Sequence, residues 1–241
     1  MSARLPMSPV PVEAVGKTPH VVILSAALVG ACQYIPVPFV DDYIEGKVLK
    51  IMVQRLLKQN GMSLPVEDVK LLYQDRSGLS SRGRSLLKKV VLKPVKTLFR
   101  PVFLLFSTRR TAKLIAETIL LGRAIDHLAR QDLPKQSTLE RFRPAFREAV
   151  TEADVSLSEH FESLVKAQKE RFQRLARQIR HLLDRGEEPT VRPSRELEEE
   201  GAQVKAALEH PAVQDQLLYF DDVFAEKLGA VGVLQDRQAA A

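Results

Sequence analysis

Apolar residues along this chain recur at spacings of three and four, the periodicity of helices that bury one face. Ile44, Val48, Ile51, Met52 and Leu56 form one stripe, with Lys47, Lys50, Gln54 and Lys58 opposite. Asp42 and, three residues on, Glu45 make a capping pair that starts this helix, and Asn60-Gly61 supplies residues tolerant of positive φ to end it. A short helix is predicted over Pro65 to Tyr73, because a proline in the first turn gives up only an N–H that would go unbonded there. Ile115, Ile119, Gly122, Ile125 and Ala129 line a helix over 111–131. Ser137 caps another from Thr138 to about Ala153, bent at Pro144.

The longest predicted helix runs from Ser156 to Asp184 on Leu157, Phe161, Leu164, Phe172, Leu175, Ile179 and Leu182, and Arg185-Gly186 stops it. Arg171, Arg174, Arg177 and Arg180 make its solvated side. Residues 186–195 read as a loop, after which Ser194 caps a helix whose first turns are rich in glutamate, where the helix dipole favours acids. Val213, Leu217, Phe220, Phe224 and Leu228 form the last stripe, and the final QDRQAAA is expected to fray. No useful stretch alternates with strand period. The pattern therefore predicts an all-α fold, an irregular helical bundle with one long central helix and a proline-broken apolar N-terminal segment.

That N-terminal segment is the first departure from ordinary amphipathic patterning. After a proline-rich tail over 1–17, residues 18–40 contain no Asp, Glu, Lys or Arg. Pro36 and Pro38 interrupt the stretch and leave Val21 to Cys32 as a continuous apolar run, shorter than the roughly 20 residues a bilayer span requires. Four readings fit: a buried or membrane-dipping short helix followed by an extended corner, which the length favours; a full span; a lipoprotein signal ending at Val29-Gly30-Ala31-Cys32; and a plain secretory signal. The long, proline-laden stretch carrying Glu13 that precedes it argues against a signal peptide.

The second departure is electrostatic. From Arg76 through Ala116 there is no acid, yet eleven bases occur, and from Lys88 they interleave with large apolar residues in LLKKVVLKPVKTLFRPVFLLF, where Pro94 and Pro101 would kink or divide a helix. Lys88, Lys89, Lys93, Lys96, Arg100, Arg109 and Arg110, with Phe103 and Phe106, are the candidate contacts to an anionic surface. Such a segment can form a core element with its bases in water, lie in a headgroup plane, or attract the phosphates of nucleic acid. The absence of Trp and the scarcity of Tyr leave few platforms for stacking on bases.

Charge follows the same division. Up to Asp132 there are twenty Lys and Arg against ten Asp and Glu, a net of +10, whereas 133–241 has sixteen against twenty, a net of −4. The organisation expected is a tail over 1–17, a basic, apolar-rich helical region over 18–132 and a neutral-to-acidic helical region over 133–241 packing on it. A single cysteine excludes an internal disulfide framework. His20, His127, His160, His181 and His210 show no metal-ligand spacing, and the adjacent acids Asp41-Asp42 and Asp221-Asp222 point in different directions on a helix, so neither makes a catalytic pair. No catalytic, cofactor or metal residue is nominated.

Ile35-Pro36-Val37-Pro38-Phe39-Val40-Asp41-Asp42, following a short helix containing Ala and Gly, resembles a tag of bacterial helical proteins that include the EcsC-like group. The resemblance covers about Val21 to Leu57. It implies a membrane-associated helical protein whose corner at Pro36 and Pro38 packs at or near the membrane, with Asp41 or Asp42 opening the next helix, and it carries no catalytic residue. The resulting expectation is a non-enzymatic cytoplasmic protein peripheral to the inner membrane, with an anionic membrane surface as its partner. A protein partner or self-association is also open, an integral or lipid-anchored form through 21–32 is the alternative placement, and a soluble nucleic-acid-binding or interaction module using 76–116 is the alternative function.

Overall fold

The uncharged stretch folds as helix α1, His20–Cys32, and every residue from Val21 to Cys32 is buried. A helix apolar on all sides has no face to offer water, so it is stable only when surrounded. The computed structural model, which describes residues 18–35, 40–73, 100–130, 136–185 and 194–239, surrounds it with helices drawn from both charge halves of the chain. These are α2 (Val40–Gln59), α4 (Arg100–Arg130), α6 (Lys169–Asp184) and α7 (Arg195–Leu208). The remaining described helices are α3 (Val66–Tyr73), α5 (Gln136–Ala167) and α8 (Pro211–Ala239). Among the described residues the fold is all-α, a helical bundle without strands.

Glycine lets two neighbours close on α1. A Cβ on Gly122 of α4 would lie 2.5 Å from both methyls of Val22, and one on Gly201 of α7 would lie 2.8 Å from Leu24. Gly30, on α1 itself, accepts Ile115 and Phe172 in the same way. Among the buried residues of α1, the hydroxyl of Ser25 is returned to the Val21 carbonyl at 2.7 Å, so it needs no water partner.

A second packing layer forms where α5 and α8 run antiparallel. Phe142 meets Phe224 at 5.6 Å between ring centroids, and Phe146 meets Phe220 at 6.1 Å, both edge-to-face, while α4 closes the third side. The α3 helix is held from outside. Arg143 of α5 donates to the carbonyls of Leu71 and Lys70, groups left without intrahelical partners at a helix end.

Several boundaries differ from expectation. The long helix predicted over Ser156 to Asp184 is instead two: α5 runs unbroken from Gln136 through Pro144 and the expected stop near Ala153, and the break falls at Gln168. At that residue φ is −107° and ψ 15°, and its carbonyl accepts from both Arg171 and Phe172. The break redirects the chain, so that α5 faces α4 and α8 while α6 turns Phe172, Leu175, Ala176 and Ile179 inward. The central helix is therefore short α1 and not the longest one. Helix α4 begins at Arg100, eleven residues before the predicted start, because Pro101 lies in its first turn, where proline is tolerated. The C-terminal QDRQAAA, expected to fray, is helical through Ala239.

Other signals read as expected. Gly61, at φ 73°, follows α2; the Pro65 carbonyl accepts from Val69 at the start of α3; and the Ser194 side chain accepts from Leu197 at 3.2 Å to cap α7. Asp42, expected with Glu45 to cap α2, lies instead inside its first turn beside Asp41, because the helix starts two residues earlier, at Val40, where the dipole still favours both acids. The tail over 1–17 and the loop over 186–193 lie outside the described residues.

The close approach at Gly122 sets an expected outcome. Gly122→Ala should destabilise the fold by about 1–3 kcal/mol in denaturant titration, since Val22 is fully buried and cannot withdraw. Gly46→Ala, with open space around its Cβ in α2, should be neutral or stabilising by up to about 1 kcal/mol.

Candidate functional site

Where the N-terminal part of α4 packs beside the C-terminal part of α5, the last bases of the acid-free stretch come into view. Thr108, Thr111 and Ala112 turn inward, which sends Arg109, Arg110 and Lys113 outward. Arg110 reaches across to Asp41 at the start of α2, 3.4 Å away, and Arg109 reaches Glu162 of α5 at 3.5 Å. Lys166 lies closer to Glu162, at 2.8 Å, and is the main reason that carboxyl sits below the usual range. Between the two helices is a cleft of about 300 Å³ lined by Arg109, Lys113, Ser158, Glu159 and Glu162. One wall is basic and the other carries acids and a hydroxyl.

The other candidate contacts are placed unequally. Arg100, Phe103 and Phe106 fall within the first two turns of α4. Lys88, Lys89, Lys93 and Lys96, with Pro36 and Pro38, lie outside the described residues. Asp41 is brought to Arg110, whereas Asp42 takes no part in that pair.

Val21 to Cys32, the first segment considered for lipid contact, is core. At about 20 Å, α1 is also too short for a hydrocarbon layer of about 30 Å. Among the described residues no helix is long and apolar enough to cross a membrane, which overturns the integral alternative through 21–32. The run read as a lipoprotein signal is here the centre of the bundle. Burial pushes the Cys32 thiol far up, so it remains a thiol and a poor nucleophile.

A buried ion pair was not legible from local spacing. Arg123 of α4, 5% exposed, is held in a fork by Asp221 of α8, 12% exposed: its Nε donates to Oδ1 at 3.1 Å and its Nη2 to Oδ2. The remaining Nη1 donates to the Thr18 hydroxyl at 3.2 Å, which ties the approach to α1 into the same knot. Burial pushes the Asp221 carboxyl up, and the Arg123 guanidinium partly offsets this. His127, one turn beyond Arg123, stacks edge-on against Phe224 at 5.9 Å, and burial pulls its imidazole down. A signal did exist: Arg123 occupies the position four after Ile119, and Asp221 the position four after Leu217, so both charges lie on apolar faces. Asp222, its neighbour, points to solvent. These groups do not line the cleft beside Arg109 and act as a structural fastening.

His160 and His210 approach with ring centroids 5.6 Å apart, yet no group of three or more His, Cys, Asp or Glu among the described residues is placed to hold a metal ion. The chain matches no protein-family model, no curated protein and no solved structure.

Two outcomes follow from the buried pair. Asp221→Ala strands a guanidinium in the interior and should cost about 3–5 kcal/mol, against about 0.5 kcal/mol or less for Asp222→Ala, both read by chemical denaturation. For His127 the folded value is depressed, so the unfolded chain binds a proton that the folded chain refuses. Stability should fall as pH drops below about 6.5, and the difference in unfolding midpoint between pH 7.5 and 5.5 should shrink in His127→Gln.

Proposed function

We propose that the chain is a non-enzymatic helical protein that associates peripherally with an anionic membrane surface through its basic, apolar-rich stretch from Lys88 to Arg110. The observation that carries the reading is the composition of that stretch: bases interleaved with Leu, Val and Phe, inside a run from Arg76 to Ala116 free of acids. An apolar face can sink to the acyl boundary while each base near an anionic surface contributes about 1 kcal/mol. Burial of α1 removes the first apolar segment from consideration, so binding rests on the second. Arg109 and Arg110, exposed where this stretch joins the bundle, support the reading, since both remain open to solvent while touching an acid. The resemblance of Ile35 to Asp42 to a tag of membrane-associated bacterial helical proteins supports the reading, and the side proposed for the association is the cytoplasmic face of the inner membrane.

Co-sedimentation with neutral and anionic vesicles across a salt series tests this, using the full chain and a variant with Lys88, Lys89, Lys93 and Lys96 changed to Gln. Binding should require anionic lipid and weaken with salt. Removing four bases should lower the affinity about a hundredfold or more, at about 1 kcal/mol each. Equal binding by the variant, or salt-sensitive retention on nucleic acid without any binding to lipid, would overturn the proposal in favour of a soluble interaction module.

A further inference from the structure

The α4–α5 cleft is charged on both walls, and this limits what can enter it. Arg109 and Lys113, one turn apart on α4, present positive charge, while Glu159 and Glu162 present negative charge from α5, with the Ser158 hydroxyl between the helices. A simple anion would meet two carboxylates and a simple cation two bases. A ligand carrying both signs a few atoms apart meets neither penalty.

The present contact of Arg109 leaves room for it. Arg109 is 82% exposed and touches Glu162 only at 3.5 Å, while Lys166 neutralises that carboxylate from 2.8 Å, so Arg109 can turn to another anion without stranding its partner. Lys113, which pairs with Glu117 on its own helix at 3.8 Å, adds positive charge to the same wall. Glu159 is exposed and makes no ion pair among the described residues. The cleft, at about 300 Å³, is at the small end of ligand sites.

We propose that this cleft binds a phosphoethanolamine group, with the phosphate against Arg109 and Lys113 and the primary ammonium against Glu159. Arg offers paired N–H donors to phosphate oxygens, and an ammonium with three N–H groups suits a carboxylate beside a hydroxyl. A trimethylated ammonium has no N–H to donate and is excluded from that contact. The group can come from a phospholipid headgroup or from the free ester. The lipid source rests on the membrane reading above, because the cleft adjoins the stretch assigned to the surface, whereas the free ester does not.

Two arms separate these sources. The first titrates the full chain with O-phosphoethanolamine, phosphocholine and inorganic phosphate, following amide shifts by NMR. Saturable shifts at Arg109, Lys113 and Glu159 are expected with phosphoethanolamine, with at least about fivefold weaker binding of the other two. The second compares vesicles of equal phosphatidylglycerol content whose remainder is phosphatidylethanolamine or phosphatidylcholine. Here about fivefold tighter binding to the ethanolamine vesicles is expected, abolished in both Arg109→Gln and Glu159→Gln. Both side chains are exposed, so folding should survive, as an unchanged unfolding midpoint would verify. Equal vesicle binding together with no response to the free ester would overturn the cleft assignment while leaving general anionic binding intact. A response to the free ester without any vesicle binding would uphold the cleft and overturn the membrane reading.

Discussion

Everything in this bundle is arranged around a helix that has no polar side. Twelve consecutive residues, Val21 to Cys32, are buried, and fully burying each Val, Leu or Ile is worth about 1.5–3 kcal/mol. That gain exists only if protein covers every face of α1, and four helices do so. Close cover requires small residues at the crossings, hence Gly122 against Val22 and Gly201 against Leu24. Because α1 spans only about 20 Å, the longer α4, α5 and α8 extend past it and build their own aromatic layer from Phe142, Phe146, Phe220 and Phe224.

Charge is distributed to suit that arrangement. The basic first half and the acidic second half meet in pairs distant in sequence, Arg123 with Asp221 and Arg109 with Glu162, and His20 is hydrogen-bonded to Glu198. Only the first is buried deeply, where a fork of two hydrogen bonds to one carboxylate offsets the cost of desolvating both ions. The Arg109–Glu162 contact, at 3.5 Å, is loose enough to be exchanged, and it lies at the α4–α5 cleft, the candidate site.

An uncharged apolar run suits a lipid layer and a protein interior for the same physical reason, the removal of hydrocarbon from water. Length and neighbours decide between them. The first run is short and is enclosed by helices that arrive from later in the chain. The second is interleaved with bases, and the interaction proposed for it draws on both its apolar and its charged positions.

How far each element was legible depended on where its cause lay. Helical class, the stop at Gly61, the cap at Ser194 and the last apolar stripe were readable, since periodicity, positive φ and capping hydroxyls act over a few residues. The break at Gln168 was not, because nothing local demands it; it exists so that α6 can turn its apolar face to α1. Nor was the Arg123–Asp221 fork, whose partners are 98 residues apart and each looked like a charge misplaced on an apolar face. The cleft was half visible, its basic wall in the acid-free stretch and its acidic wall in an unrelated part of the chain. By itself the sequence determined which segments are helical and which must leave water, because backbone propensity and hydrophobic period are local. The tertiary structure alone decided what covers each apolar face and which charges meet, because those depend on helices brought together from distant parts of the chain.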